Sequence, residues 1–417
     1  MSNVKAGRLH RVFRTSGLFS TGLFIAACLI LQTVQAQPVT VFEGARLIPG
    51  NGNAPIDDAI IIIQGERITA VGRRSEIPMP EVATRIDLSG KTVMPAIIDA
   101  HKHLSGEREI LIAQLHDLAY FGVGTVLSLG QDVTNVPFEV HEEAIPGTAR
   151  EYTAGRGITM PEPGRSEAPI WVKTEAEARQ AVREQIERHV DIIKMWVDDR
   201  DGKYEKLSPA MYTSIIDEAH KNNTKVAVHI FTMEDAKGVL RAGVDVFAHG
   251  IRDRDIDDET VELFKQRPNV VLVPNLPDSG IAADMSWLKG WIPDAELEKI
   301  QSETTDNPEA QKLFGIQARN LAKLHKAGVK ISFGTDGSVL WEHHVEMERM
   351  VAAGMTPADV IVSATRNSAE LLGLSDVGVI ESGNLADFIV LDANPLDDIT
   401  NTTRINSVYI RGEKVER

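Results

Sequence analysis

The feature that most constrains this 417-residue chain is a rhythm. Short apolar runs at 93–100, 125–129, 151–154, 191–197, 225–230, 245–248, 270–274 and 330–334 alternate with stretches that read as capped helices. Several runs are apolar throughout, as strands covered on both faces must be. The helices between them have legible starts. Thr174 and Glu177 make a capping box, and Ser208 and Thr356 each precede a proline at a first helical position. Strands and helices alternating in this way predict an α/β fold, a (β/α)8 TIM barrel. A doubly wound open sheet is the alternative, because periodicity does not report closure.

Both ends of the chain have a different character. Runs at 39–42 and 60–63, a turn at Gly65-Glu66, and runs at 67–71, 387–392 and 407–411 are β-rich. The economical division is a small β-sandwich built from 37–92 and 376–417, flanking a barrel at 93–375. Residues 1–36 stand apart. Lys5, Arg8, Arg11 and Arg14 precede an apolar run from Gly17 to Leu31, and Val34-Gln35-Ala36 supplies small residues for cleavage after Ala36. This is the pattern of a secretory signal peptide, and it predicts an exported, periplasmic or extracellular protein. A membrane anchor is one alternative, though the run falls short of the roughly 20 apolar residues a span needs. A lipoprotein attached through Cys28 is the other, but Leu29-Ile30-Leu31 continue the apolar run where a polar tether belongs.

Cleavage would remove four basic residues and no acid, taking the net charge from −16 to −20, and would remove the only cysteine. No disulfide can then form. An acidic chain without a basic block argues against nucleic acid as a partner. A small-molecule substrate is expected, no stable membrane span is expected after cleavage, and a homo-oligomer is open.

Five of the apolar runs end in side chains that can hold a metal. In Asp99-Ala100-His101-Lys102-His103, alternate residues share a strand face, so His101 and His103 point together. Lys194 lies inside the apolar run Ile192–Trp196, where a lysine is costly unless neutralised, paired or modified; a snorkelling or ion-paired lysine is the plainer alternative. His229 and His249 each follow an apolar run, and Asp336 follows the last one. A histidine in such a place is more often structural, yet catalytic residues of barrels gather at the C-terminal ends of strands, where all six can converge.

The segment Met94–Leu104, reading M-P-A-I-I-D-A-H-K-H-L, resembles the M-P-G-L-I-D-x-H-x-H-L motif of the amidohydrolase superfamily, especially its imidazolonepropionase-like and Xaa-Pro dipeptidase-like members. Gly334-Thr335-Asp336 resembles that family's strand 8 motif, and Gly383–Phe388 its returning G-x-x-A-D segment. Ala96 departs from the usual glycine. The resemblance implies a distorted (β/α)8 barrel with a β-sandwich from both chain ends, and two divalent metals, usually zinc. It implies that His101, His103 and Asp336 hold the inner ion and His229 and His249 the outer one. It also implies that Lys194 carries a CO2-derived carbamate bridging both. Divalent metals lower the pKa of bound water towards 7, and Asp336 can act as general base and then acid.

Outside these residues the signals are thinner. Trp196 shares the face of Lys194 and is a candidate pocket wall. Asn275, Arg156 and His344 are candidate substrate contacts. Phe231 stands where some dipeptidase-like relatives carry tyrosine. The segment 277–310 reads as a lid or as an amphipathic surface helix. The expectation is an exported binuclear metal-dependent hydrolase of the amide bond in a cyclic amide, a dipeptide or an N-acyl compound. A lactone or other ester hydrolase, or a non-catalytic binding relative, are the alternatives.

Overall fold

The β-branched runs near the N-terminus form strands β1 (Val39–Leu47), β2 (Ile56–Gln64) and β3 (Arg67–Arg73) in the computed structural model, which describes residues 37–417. The expected signal segment 1–36, Cys28 included, lies outside the described residues. Gly65 opens the β2–β3 turn with φ at 60°, a conformation that glycine adopts without a Cβ clash. Strands β4 (Thr84–Asp87) and β5 (Thr92–Pro95) both run parallel to β1.

The run expected as one strand over 93–100 is two strands serving two sheets. The chain breaks at Ala96, and β6 (Ile97–Lys102) leaves the N-terminal sheet to pair with β7 (Val123–Ser128), which pairs with β8 (Arg150–Thr153). A second parallel sheet holds β9 (Ile158–Thr159), β10 (Ile170–Trp171), β11 (Ile193–Val197), β12 (Val226–Ile230), β13 (Val246–Phe247), β14 (Val271–Leu272) and β15 (Lys330–Ile331), in the order β10-β9-β11-β12-β13-β14-β15. The expected closed barrel is thus not a continuous ladder: among the described residues, the parallel strands form two sheets.

The physical reason lies at the seams. Strands of two residues leave few ladder bonds, and buried carboxylates take over. Between β15 and β6, the Ala100 N–H donates to Phe333 O at 2.9 Å, while Thr335 and Asp336 N–H donate to His101 O at 3.1 and 2.7 Å. Asp99, fully buried, accepts from the His101 N–H, the Thr335 N–H and the Thr335 hydroxyl at 3.1, 3.2 and 2.8 Å. Between β8 and β11, the Asp191 N–H donates to Thr153 O at 2.9 Å, and the Asp191 carboxylate accepts the Thr153 N–H at 2.8 Å.

The returning strands β16 (Phe388–Leu391), β17 (Ile405–Ile410) and β18 (Glu413–Lys414) complete an eight-stranded sheet in the order β18-β17-β16-β5-β1-β2-β3, with β4 beside β1. Its core is aromatic: Phe42, Phe388 and Tyr409 pack with ring centroids 4.8–5.1 Å apart. A buried ion pair between Arg150 on β8 and Asp387 ties this sheet to the parallel strands. Inside the parallel strands lies a layer of small and branched residues that includes Ala100, Ala154, Ile192, Ala227 and Ala248, while a larger core packs strands against helices. Strand alternation then decides orientation. Ile192, just before β11, belongs to the inner layer and Ile193, Met195 and Val197 to the outer, so Lys194 and Trp196 face inward; on β12, Ala227 brings His229 with it.

The expected helix starts are present. Ser208 and Thr356 accept N–H bonds from Met211 and Asp359 at 3.4 and 3.1 Å. Thr174 accepts the Glu177 N–H at 3.2 Å, but the Glu177 carboxylate returns to the Lys173 N–H at 2.6 Å, one residue outside the box expected. Within 277–310 the helix Asp294–Glu303 has no fully buried residue, but Leu297 and Ile300, one turn apart, pack half-buried against the cluster of Phe121, Met285 and Leu288. Trp291 packs against Tyr120 and Phe121, with centroids at 4.1 and 5.0 Å.

Candidate metal centre

Asp336 is the hub of the site. It follows Gly334, whose Cβ, if present, would lie 2.7 Å from His101 Cβ and 2.8 Å from the His101 backbone nitrogen. Only glycine lets the last strand come this close to β6. Asp336 itself adopts φ 58° and Asn275, after β14, φ 42°, unusual for non-glycine residues and typical of sites whose geometry is held by the surrounding structure. Asp336 Oδ1 lies 2.9 Å from Nε2 of both His101 and His103, and Oδ2 lies 3.6 Å from His249 Nε2. The shared orientation of His101 and His103 follows from their alternation at the end of β6. Between them Lys102 is buried the other way, with Nζ donating to Thr335 Oγ1 at 2.9 Å and Val339 O at 2.6 Å.

His229 closes the group from β12, its ring 4.4 Å from that of His249, which in turn lies 5.0 Å from His101. Its Nε2 sits 2.9 Å from Asp198 Oδ2 and 3.2 Å from Arg200 Nη1. Lys194 is fully buried; its Nζ has no hydrogen-bond partner among the described residues and lies 5.2 Å from the Trp196 ring. Trp196 is wedged against Gly157, where a Cβ would collide with the indole.

Burial governs the protonation states. It holds the imidazoles of His101 and His229 down at about 4 and about 3, and His249 well below the ordinary range. All three are therefore neutral at pH 7, the state in which an imidazole binds metal. Burial pushes the Asp336 carboxyl up, but hydrogen bonds from His101 and His103 outweigh it, joined in acid by the charges that His101 and His249 then carry, and the group stays ionised. Burial lowers Lys194 to about 7, against the pull of Asp336 and with help from Arg252 and Arg200. Asp198 stays ionised because hydrogen bonds from His229 and the Arg200 backbone overcome its burial.

Of the six ligands expected, His101, His249 and Asp336 come together most tightly, offering three ligand atoms within 4.8 Å of one another. Two neutral imidazoles, an ionised carboxylate and a nearby unpartnered amine fit a divalent cation. His103 also reaches Asp336 at 2.9 Å, while His229 lies beside His249 and is engaged by Asp198.

The candidate substrate contacts divide. Asn275 belongs to the layer behind the ligands: its Nδ2 donates to Ala248 O at 2.7 Å and lies 2.6 Å from His101 Nδ1, leaving Oδ1 without a partner. Arg156 is turned away, with Nε donating to Ala168 O at 2.6 Å and Nη2 to Glu167 O and Pro169 O at 2.9 and 3.1 Å. His344 is buried beside His343, with Nδ1 3.1 Å from Thr402 Oγ1. It sits near a cavity of about 660 Å³ lined by Trp287, Trp341, Glu342 and Arg404, to which none of the six expected ligands contributes. Sequence reasoning missed Asp198, Arg200, Arg252 and the seam carboxylate Asp99. Asp198 had a signal, the same strand parity as Lys194 and Trp196, and Asp99 had another, the parity of His101.

Comparison with known proteins finds similarity along most of the chain. The sequence pattern of the amidohydrolase family matches residues 92–415. Ochratoxinase from Aspergillus niger is 25% identical, over 89% of this chain and 85% of its own. Imidazolonepropionase from Deinococcus radiodurans is 24% identical, over 86% of this chain and 92% of its own. Among solved structures, a Xaa-Pro dipeptidase with bound methionine in the active site superposes with a TM-score of 0.73 at 24% identity, covering 91% of this chain and 100% of the other.

Proposed function

This chain belongs to the amidohydrolase family, whose members are metal-dependent hydrolases of C–N bonds, and from that premise we propose that it is an exported binuclear amidohydrolase cleaving a small amide. Membership implies a TIM-barrel-like α/β fold with an extra β domain. The finer reading is a distorted (β/α)8 barrel over 93–375 and a β-sandwich from 37–92 and 376–417. The observation that carries the function is Asp336 held among three histidines, beside a buried lysine with no partner. Relatives named for ochratoxin, imidazolone propionate and Xaa-Pro dipeptides support a cyclic amide, a dipeptide or an N-acyl compound as substrate.

His101, His103 and Asp336 are the ligands proposed for one ion, His229 and His249 for the other, with zinc the metal proposed. Such ions, when bound, acidify water and polarise the scissile carbonyl. The protein's own groups do the rest. Asp336 Oδ1 is engaged by two imidazoles, so the freer Oδ2 takes the proton of the attacking water and passes it to the leaving nitrogen. Lys194, lowered to about 7, is partly neutral at physiological pH. Its neutral amine could add to CO2, the N–C bond forming as one C=O π bond opens to a carboxylate and the amine proton passes to water, and the resulting carbamate would supply oxygen ligands to the bound metal.

The test is direct. Protein beginning at Gln37, as found by sequencing the exported form, should hold close to two divalent ions and hydrolyse members of a panel of dipeptides, N-acyl amino acids and lactams. Isotope-labelled bicarbonate should enter Lys194 and not a Lys194→Ala variant. Turnover of lactones with none of amides would overturn the amide reading.

A further inference from the structure

One charge at the metal centre has no counterpart. Arg252 lies three residues beyond His249, and its backbone N–H is anchored to Phe231 O at 3.0 Å, on the loops leaving the strands that carry His249 and His229. Its side chain is half-buried, Nε is shut off from solvent without a hydrogen-bond partner, and among the described residues no acid pairs with it. The acids whose charges reach it are committed elsewhere: Asp198 to His229 and Arg200, Asp336 to His101 and His103. Arg252 thus leaves the strand end that carries His249 and is tied to the residue two past His229, and its charge adds to the burial that lowers Lys194, His229 and His249.

A buried donor without a partner costs about 1–3 kcal/mol, and arginine cannot relieve the cost at Nε by losing its proton. Nothing in the surrounding packing uses its five donors. A planar fork of N–H groups matches a carboxylate in two parallel hydrogen bonds. Phe231, whose carbonyl anchors the Arg252 backbone, is itself one of the exposed large apolar residues, so the rim offers a cation and an apolar surface together.

We propose that Arg252 binds a free carboxylate of the substrate, which makes the substrate class an amide carrying that carboxylate next to an apolar group: an N-acyl amino acid or a dipeptide rather than a neutral lactam. This rests on the amidohydrolase reading of the site, and binding can test it apart from turnover. N-benzoylphenylalanine and its uncharged carboxamide would be titrated calorimetrically into metal-quantified wild-type, Arg252→Gln and Arg252→Lys proteins. Wild type should favour the carboxylate by about 10- to 100-fold, the worth of a charge-assisted hydrogen bond. Arg252→Gln should bring the ratio close to one, and Arg252→Lys should retain part of it. If the glutamine variant does not fold, the lysine variant still decides, since a lost fork should lower the ratio several-fold. A wild type that prefers neither compound, or an undiminished ratio in a folded variant, overturns the assignment. Preference without hydrolysis would instead leave Arg252 as the anion site and remove the amide reading.

Discussion

Asp336 combines metal binding with proton transfer, and one substitution can separate the two. Asparagine keeps the size and an oxygen ligand but cannot take up a proton at neutral pH. Asp336→Asn should retain much of its bound metal while losing about 10²- to 10⁴-fold in kcat, the usual scale of general acid–base catalysis. The loss should be larger for an amide with a poor amine leaving group than for an activated aryl ester, whose departure needs no proton. Kinetics on both substrates with one metal-analysed preparation provide the check; equal small losses would make Asp336 a ligand only. At this scale the sequence was legible wherever a residue's role follows from strand parity. His101 on β6 and His103, the residue just past its end, both reach Asp336 as their parity predicts, and Lys194 faces inward with Ile192. Asp198 obeyed the same parity and could have been found. Arg252 could not, and Asn275 was named for a different role, because each sits on a loop, past the end of a strand, and no periodicity fixes where a loop side chain points.

The elements show where pattern reading stops. Apolar runs announced the parallel strands, and caps announced the helices after Thr174, Ser208 and Thr356, but not which sheet each strand would join. The run at 93–100 looks uniform, yet the break at Ala96 hands its first half to the sheet of the termini. Nor could periodicity reveal that the two parallel sheets meet through the side chains of Asp99 and Asp191. Asp99 is the sharper case, for it binds the backbone on either side of the seam that sets His101 against Asp336. Asp99→Ala would leave buried donors unsatisfied, each worth about 1–3 kcal/mol. Urea unfolding should show a loss of that order or more, and metal affinity should fall with it. Asp99→Asn, which keeps a carbonyl oxygen for the two N–H groups, should lose less on both measures. Equal behaviour of the two variants would mean that the seam does not depend on the carboxylate.

Across the whole molecule, stability should respond to pH through a group remote from the proposed chemistry. Glu151 on β8 is buried with neither carboxylate oxygen hydrogen-bonded among the described residues; burial, and then the charges of Asp132 and Asp191, raise it from 4.5 to about 9. Between those values the folded chain holds a proton that the unfolded chain releases, so stability falls as pH rises through the window, and the penalty is complete above about 9. Glu151→Gln removes the titration. It should stabilise the protein by on the order of a few kcal/mol near pH 8 and by little near pH 4, as unfolding curves at several pH values would show. A flat difference across that range would contradict the assignment. The sheet of the termini bears on a different matter, the order of events during synthesis. Strand β5 lies between β1 and β16, so its second edge stays bare until residues past 388 have been made. At 5–20 residues per second a nascent chain spends on the order of tens of seconds with that edge uncovered. Chains that stop short of β16 should therefore collect as aggregates or chaperone clients rather than as a smaller soluble enzyme.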